Sequence, residues 1–265
     1  MPFDRFDLEI PAPSVETHLL GRIEYGQCAE LQERLVGQIA RRDDGQIRLL
    51  FCEHPQIITV GRGGSPGDVQ LDSKLIRHGQ IEVRWVKRGG GCMVHLPGQL
   101  AVYPIVPLRW HGMSVGQYLD RFQAGILAAL DELDFPAQTR PPQTRPTWGE
   151  GSNPAADVDL GTNQPHAHGI WGRNGRLVTF GIAVRDWVSS HGAFINVCPA
   201  MGLFKLIDGE RQSSLMIERR HRANMSGVRA ALVRHLSESL GCGRYHIYTG
   251  HPMLKGKTIL PTTRH

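Results

Sequence analysis

The sequence lacks the features that define several large classes of protein. No apolar run approaches the roughly 20 residues of a membrane-spanning helix, and the first ten residues are acidic where a secretory signal would be basic and then apolar. The excess of one sign of charge is also small: the sequence has 30 Lys and Arg and 25 Asp and Glu, which gives a net charge of +5. This excess is too small to predict nucleic-acid binding, although it suits an acidic partner surface. We therefore expect a soluble, cytoplasmic protein that contacts neither membrane nor nucleic acid.

Cysteine patterns and phosphate-binding motifs are also missing. The five cysteines, at positions 28, 52, 92, 198 and 242, are odd in number, widely spaced and without a CxxC pair. This spacing argues against a disulfide framework and against a structural zinc site. Neither GxxxxGK[ST] nor GxGxxG occurs, so no phosphate loop is predicted. We expect no cofactor and no metal.

The composition is that of an ordinary globular protein, with 40% hydrophobic and 21% charged residues over 265 positions. We predict a single domain over 1–265, interrupted by an insertion at about 137–168. That stretch contains QTRPPQTRP and then GEGSNPAADVDLGTNQPHAH, which is rich in Pro, Gly, Asn and Asp and has no apolar period. It is predicted to form a long, flexible, exposed loop.

Hydrophobic periodicity places helices and strands in separate clusters. Helices are predicted at 24–41, at 115–135 after an N-cap at Ser114, and at 224–240 before a C-cap at Gly241. A short helix is predicted at 72–79 and another short element at 202–207. Strands are predicted at 47–52, 56–60, 81–86, 99–106, 169–171, 177–184 and 193–197. Because strands cluster instead of alternating singly with helices, an α+β fold is favoured.

The densest chemical signal is KRGGGCMVHLPGQ at 87–99, which follows a predicted strand. Three successive glycines allow a ligand to approach the backbone, Arg88 adds a fixed cation, and His95 is a possible general base. The alternative is a glycine-rich hairpin connection with an unrelated histidine. Weaker glycine signals occur in GRGG at 61–64, TFG at 179–181 and HGAFINV at 191–197.

Taken in order, these motifs resemble one family, the lipoate-biosynthesis octanoyltransferases, which are grouped with the lipoate and biotin protein ligases. The resemblance spans about 21–240 and includes EYGQCAELQERLV, CEHPQIITVGR, RGGGCMVHLPGQ, GIWGRNGRLVTFGIAV and HGAFINV. It implies a mixed sheet flanked by helices, with a narrow tunnel for a medium-length acyl chain.

The resemblance also implies a reaction and its partners. An octanoyl group would leave acyl carrier protein as a thioester, pass to an enzyme cysteine, and then reach a lysine of a lipoyl domain. The acceptors would be the lipoyl domains of 2-oxoacid dehydrogenases or the glycine cleavage H protein. The substrate-binding residues implied by the motif match are Arg88, Gly89, Gly90, Gly91, Cys92, Met93, Val94, His95, Thr179, Phe180, Gly181, Gly192, Ala193 and Phe194.

Two positions depart from the family pattern. The family lysine at the start of the TFG strand is replaced by Arg176, which keeps the positive charge but cannot act as a base. The family cysteine lies in a Pro-Cys-Gly-like turn, and counting forward from HGAFINV reaches Gly209-Glu210-Arg211 instead.

The missing cysteine leaves the nucleophile open. Cys198 and Cys92 are candidates for a relocated one, with Arg176 as the supporting cation. Without a covalent cysteine, Glu210, Asp208 or His95 could take a proton from the incoming amine. Two further hypotheses are a relative that binds an acyl chain or lipoyl domain without transfer, and an ATP-dependent lipoate ligase, which the absent lysine disfavours. The basic run at 219–222 is a candidate docking surface for an acidic partner.

Overall fold

A computed structural model describes residues 14–42, 44–139, 169–207, 209–219 and 223–254. Most of the predicted insertion, residue Asp208 and the side chains of the basic run at 219–222 lie outside these ranges. Within the described ranges, Gln138 pairs with Trp171 through two backbone hydrogen bonds of 2.9 Å, so the first residues of the predicted loop are tied to a strand. Among the described residues, no helix has the length and apolar character needed to cross a membrane.

The described residues form ten strands and five α-helices. The strands are β1 (Val15–Arg22), β2 (Ile47–Glu53), β3 (Ile57–Val60), β4 (Glu82–Trp85), β5 (Cys92–His95), β6 (Gln99–Ile105), β7 (Gly169–Trp171), β8 (Arg176–Arg185), β9 (Val188–Asn196) and β10 (Tyr245–Thr249). The helices are α1 (Tyr25–Arg42), α2 (Lys74–Arg77), α3 (Val115–Glu132), α4 (Leu215–Arg219) and α5 (Met225–Ser239), and a 3₁₀ helix covers Met201–Leu206.

These strands form two mixed sheets. The larger has the order β10-β1-β2-β6-β9-β8-β7, in which β1 runs parallel to both β10 and β2 and all later neighbours are antiparallel. The smaller has the order β4-β3-β5, with β3 parallel to β4 and antiparallel to β5. The α+β prediction, with a mixed sheet flanked by helices, is confirmed.

Helices cover both faces of the large sheet. Successive side chains of β6 point to opposite faces, and all of them are buried, so both faces must be covered. Ala101, Tyr103 and Ile105 point toward the apolar face of α1, whose Leu31, Leu35 and Ile39 are buried. Leu100 and Val102 point the other way, toward α3 and α5. The small sheet packs with the 3₁₀ segment through a third cluster that includes Ile58, Val94 and Leu206.

Most predicted elements are present with shifted ends. Ser114 caps α3 as predicted, with its side chain accepting from the Gln117 amide. The helix ends at Glu132, before Pro136, because Asp134 adopts a left-handed φ of 63°. Three strands were not predicted: β1, β10 and β5, the last of which had been assigned to the glycine-rich loop.

Candidate active site

The main cavity has a volume of about 860 Å³ and lies between the two sheets and the 3₁₀ segment. It is lined by the glycine-rich segments after β3 and before β5, by the start of β8, and by residues within 201–207 and 209–212. Its lining residues are Arg62, Gly63, Gly64, Ser65, Asp68, Gly90, Gly91, Cys92, Met93, Arg176, Thr179, Phe180, Met201, Phe204, Lys205, Ile207, Gly209, Glu210, Arg211 and Gln212. The motifs at 61–64, 87–99 and 179–181, distant in sequence, therefore share one cavity.

The structure divides the sequence-predicted site residues into three groups. The wall of the main cavity includes Gly90, Gly91, Cys92, Met93, Arg176, Thr179 and Phe180. A narrow extension of about 20 Å³ shares several of these residues and reaches Val94, Gln99 and Phe194. Of the described residues, neither cavity is lined by Arg88, Gly89, His95, Gly181, Gly192, Ala193 or Cys198.

Arg88 lies behind the wall and organises the glycine loop. It is fully buried, and its guanidinium donates to the carbonyl oxygens of Gly89, Gly91 and Thr59 at 2.9, 3.1 and 3.0 Å. It also donates to the Thr59 hydroxyl at 2.6 Å. Because these acceptors lie in the glycine loop at 89–91 and on β3, Arg88 ties that part of the cavity wall to the small sheet. Burial lowers the pKa of Arg88.

Two of the predicted glycines serve close packing. A Cβ at Gly181 would lie 3.0 Å from Arg88 Cδ and 3.1 Å from the Gly89 carbonyl oxygen. A Cβ at Gly192 would overlap the carbonyl oxygen of Val102 on the neighbouring strand. The glycine in TFG thus makes room for Arg88, and the glycine in HGAFINV makes room for β6.

His95 is a buried member of a polar network and not a cavity residue. Its Nε2 lies 2.7 Å from the Thr59 hydroxyl, and its ring packs 4.4 Å from the Phe194 ring. Burial holds the pKa of His95 well below its usual value, assisted by His54 and Arg88. The neutral His95 ring contacts the Thr59 hydroxyl, and the same hydroxyl accepts a hydrogen bond from Arg88. His95 therefore positions Thr59 for its contact with Arg88.

Arg176 and Glu210 meet on the cavity wall. The Arg176 Nη2 lies 3.0 Å from the Glu210 Oε2, and the Arg176 side chain is 7% exposed against 25% for Glu210. The indole Nε1 of Trp171 donates to the same carboxylate oxygen at 2.7 Å, and the guanidinium lies 5.2 Å above the Trp171 ring. Arg176 and Glu210, the two positions at which the sequence analysis expects a departure from the family pattern, are therefore direct partners, and Trp171, which that analysis did not identify, contacts both.

The two candidate cysteines occupy different surroundings. Cys92 lies on the wall, with its Sγ 3.8 Å from the Ser65 carbonyl oxygen and 3.8 Å from the Asp68 carboxylate. Cys198 packs against the main core, and its amide donates to Gly98. Burial, with the nearby carboxylate of Glu53, raises the pKa of Cys198. Thus Cys92 lines the cavity. Cys198 does not line it, and its raised pKa favours the protonated thiol.

Positive charge predominates on the cavity wall. The cationic residues are Arg62, Arg176, Lys205 and Arg211, and the carboxylates are Asp68 and Glu210. Phe180, Phe204, Ile207 and Met93 supply apolar surface between them. The cavity can therefore hold an apolar chain while attracting an anionic group to its entrance.

Comparison with known sequences identifies one family. Residues 24–241 match the lipoyl protein ligase A/B catalytic domain. An octanoyltransferase of Citrifermentans bemidjiense is 32% identical over 189 residues, covering 71% of this chain and 76% of the relative. An octanoyltransferase of Syntrophotalea carbinolica is 31% identical over 227 residues, covering 83% and 92%.

Comparison with solved structures identifies the same fold. A lipoate-protein ligase A bound with ATP superposes with a TM-score of 0.66 at 17% identity, covering 91% of each chain. A bipartite lipoate protein ligase from Thermoplasma acidophilum gives a TM-score of 0.62 at 15% identity, covering 91% of this chain and 89% of that one.

Proposed function

The chain belongs to the lipoyl protein ligase A/B catalytic domain family, and we propose that its cavity transfers an octanoyl group directly from an acyl carrier protein thioester to a lysine amine. The predicted family and the assignment to octanoyltransferases of lipoate biosynthesis are confirmed by these matches. The proposal concerns the donor, the acceptor and the residues that replace the usual lysine and cysteine.

The proposed step needs no covalent enzyme intermediate. The lysine amine of the acceptor attacks the thioester carbonyl carbon, the C–N bond forms and the C–S bond breaks. Glu210 accepts the proton released by the attacking nitrogen and returns it to the departing thiolate. The products are an amide and a thiol, so no further reactant is required.

The single observation that carries this proposal is the Arg176–Glu210 ion pair. Glu210 stands on the cavity wall where the family pattern has its cysteine, and Arg176 and Trp171 hold its Oε2 at 3.0 and 2.7 Å. A carboxylate fixed by two donors is oriented toward the reacting atoms at little entropic cost. Arg176 has the charge to stabilise the developing oxyanion, a role that does not require it to lose a proton.

Donor and acceptor are proposed from the names of the relatives together with the charge of the cavity. The excess of cations on the wall suits an acidic acyl carrier protein, and the apolar residues suit an octanoyl chain. The acceptor would be a lipoyl domain of a 2-oxoacid dehydrogenase or the glycine cleavage H protein. Because both partners are soluble proteins, we propose a cytoplasmic location and no contact with membrane or nucleic acid.

The remaining predicted site residues are proposed to support this chemistry in two ways, either by direct contact with the substrate or by holding the cavity wall in place. Gly90, Gly91, Cys92, Met93, Thr179 and Phe180 would contact the acyl thioester, and Val94 and Phe194 would close the narrow end. Arg88, Gly89, His95, Gly181, Gly192 and Ala193 would hold that wall in place. Cys198 as a nucleophile stays a prediction that requires the chain beyond β9 to move.

The same ion pair also favours a second candidate, a relative that binds an acyl chain or lipoyl domain without transfer. In that reading Glu210 is held too firmly to accept a proton. The two candidates differ in one measurable product, the octanoylated acceptor.

The test is an octanoyl-transfer assay with octanoyl-acyl carrier protein and a lipoyl domain, read by intact mass of the acceptor. We expect the wild-type chain to octanoylate the acceptor lysine, and Glu210→Gln to lower kcat by about 10²–10⁴-fold with little change in KM. Asp44→Asn, at an exposed site outside the cavity, is the matched control. Equal rates for wild type and Glu210→Gln would refute the role of Glu210. If the wild-type chain forms no product, transfer is refuted and the second candidate, binding without transfer, is favoured.

A further inference from the structure

A buried cluster of Cys28, Cys52 and His54 lies in the polar network behind the cavity wall and takes no part in the proposed transfer. Cys28 is on α1, while Cys52 and His54 are at the end of β2, so folding brings together residues that are 24 positions apart in sequence. The three residues are 1%, 2% and 2% exposed. Their donor atoms all lie within 4.8 Å of one another.

The distances between the donor atoms suit a tetrahedral zinc ion. The Sγ atoms of Cys28 and Cys52 are 3.9 Å apart, and the Cys52 Sγ is 3.5 Å from the His54 Nε2. With Zn–S of about 2.3 Å and Zn–N of about 2.0 Å, tetrahedral angles give about 3.8 Å between two sulfurs and about 3.5 Å between sulfur and nitrogen. The two Cys52 distances thus match those in a tetrahedral zinc complex, and the distance from Cys28 Sγ to His54 Nε2 is below 4.8 Å.

The orientation of His54 is a second, independent indication. Its Nδ1 lies 2.7 Å from the Ile23 carbonyl oxygen, so Nδ1 carries the proton and donates it there. The lone pair of Nε2 therefore faces the cluster, with the Tyr103 hydroxyl at 2.6 Å and the Cys52 Sγ at 3.5 Å. Ligating histidines usually donate their second nitrogen to a backbone carbonyl or a carboxylate, which fixes the ring as His54 is fixed.

We propose that Cys28, Cys52 and His54 form a structural zinc site. Each thiol releases its proton to solvent when its Zn–S bond forms, and the two thiolates and neutral imidazole then balance the charge of the ion. A neutral complex is the form that a fully buried position tolerates. Tyr103, whose hydroxyl lies 2.6 Å from the His54 Nε2, would supply the fourth ligand when the metal replaces that hydrogen bond.

The site would join α1 to β2 and β6 behind the RGGG segment. Buried on all sides, it has the closed character of structural zinc sites and no position open to a substrate. This proposal departs from the sequence-based expectation of no structural zinc site, which depended on the spacing of the cysteines along the chain and not on their spatial arrangement.

The test is metal content and spectroscopy on the full chain. We expect purified protein grown with zinc to contain about one zinc per chain, and chelated protein to bind Co²⁺ with the sulfur-to-cobalt charge-transfer band of a thiolate site. Cys28→Ser and Cys52→Ser should weaken zinc binding by more than the roughly 10–100-fold that loss of a supporting partner costs. Cys242→Ser, at a buried cysteine outside the cluster, is the matched control and should bind zinc like wild type.

The following results would overturn the proposal. They are a zinc content unaffected by both cluster variants, a wild-type Co²⁺ complex without the charge-transfer band, and a Cys28–Cys52 disulfide found by mass spectrometry in place of the metal. The wild-type Co²⁺ spectrum decides the matter even if a cysteine variant fails to fold. Binding of Cu⁺ without binding of Zn²⁺ would also contradict the zinc assignment.

Discussion

Arg176 and Glu210 form an ion pair with Nη2 and Oε2 3.0 Å apart on the wall of the main cavity. The sequence analysis expects a family lysine and a family cysteine at these two positions. On that expectation the positive charge of the lysine is retained by Arg176, and the thiol is exchanged for the carboxylate of Glu210. We propose that a group able to accept a proton stands here in place of a nucleophile.

The first prediction is that Glu210→Cys restores a covalent intermediate. A thiol at this position would stand beside the Arg176 guanidinium, which lowers the pKa of a neighbouring thiol. We expect this variant, mixed with octanoyl-acyl carrier protein, to gain one hydroxylamine-labile octanoyl group by intact mass. The control is Glu210→Ser, which keeps the size but has no thiol. An unmodified Glu210→Cys protein would argue that the thioester does not reach this part of the wall.

Much of the architecture follows from the sequence because the buried faces have clear periods. The helix after Ser114 and the strands at 47–52 and 99–106 bury regular apolar sets, and all three are present. β10 was not predicted; all five of its residues are exposed, so its apolar side chains form no buried face. β5 was missed because it follows three glycines, a composition that predicts a loop.

The site was predicted in part for a comparable reason. The order and spacing of the motifs identified Arg176 and Glu210 as positions expected to differ from the family. Only the fold shows that they form an ion pair and that Trp171 donates to the same carboxylate. Arg88 and His95 were placed on the cavity wall because the motif is continuous in sequence. Their contacts with Thr59 hold both side chains in the buried interior behind the wall instead.

The second prediction concerns acid stability. Burial lowers the pKa of His191 to about 4, whereas an unfolded histidine has a pKa of 6.5. Between these values the unfolded chain binds a proton that the native chain excludes, so stability is full above pH 6.5 and falls as the pH drops toward 4. His251, whose pKa is also lowered to about 4 by burial, acts in the same direction.

The measurement is urea unfolding of wild type and His191→Asn at pH 7 and pH 5. Asparagine tolerates the left-handed φ of 55° at this position, so the variant can fold. We expect His191→Asn to lose less stability between the two pH values than wild type. His78→Asn, at an exposed histidine, should behave like wild type. The same pH dependence in His191→Asn and wild type would exclude His191 as a source of acid sensitivity.

The third prediction tests the packing of β9 against β6. A Cβ at Gly192 overlaps the Val102 carbonyl oxygen, so Gly192→Ala must separate the two central strands. We expect it to lower the free energy of unfolding by about 3 kcal/mol or more. Gly202→Ala is the control, because nothing lies within 4 Å of the Cβ that it adds. Equal stability of the two variants, measured by chemical denaturation, would contradict this reading of HGAFINV.

The central claim is that octanoyl transfer proceeds without a covalent cysteine, and its most direct test is the intact mass of the enzyme itself. Wild type, Cys92→Ser and Cys198→Ser are each mixed with octanoyl-acyl carrier protein alone, and a lipoyl domain is added afterwards. We predict no hydroxylamine-labile adduct on any of the three, followed by octanoylation of the lipoyl domain at comparable rates. An octanoyl adduct on wild type that disappears in Cys92→Ser or Cys198→Ser would contradict the claim and establish a relocated nucleophile.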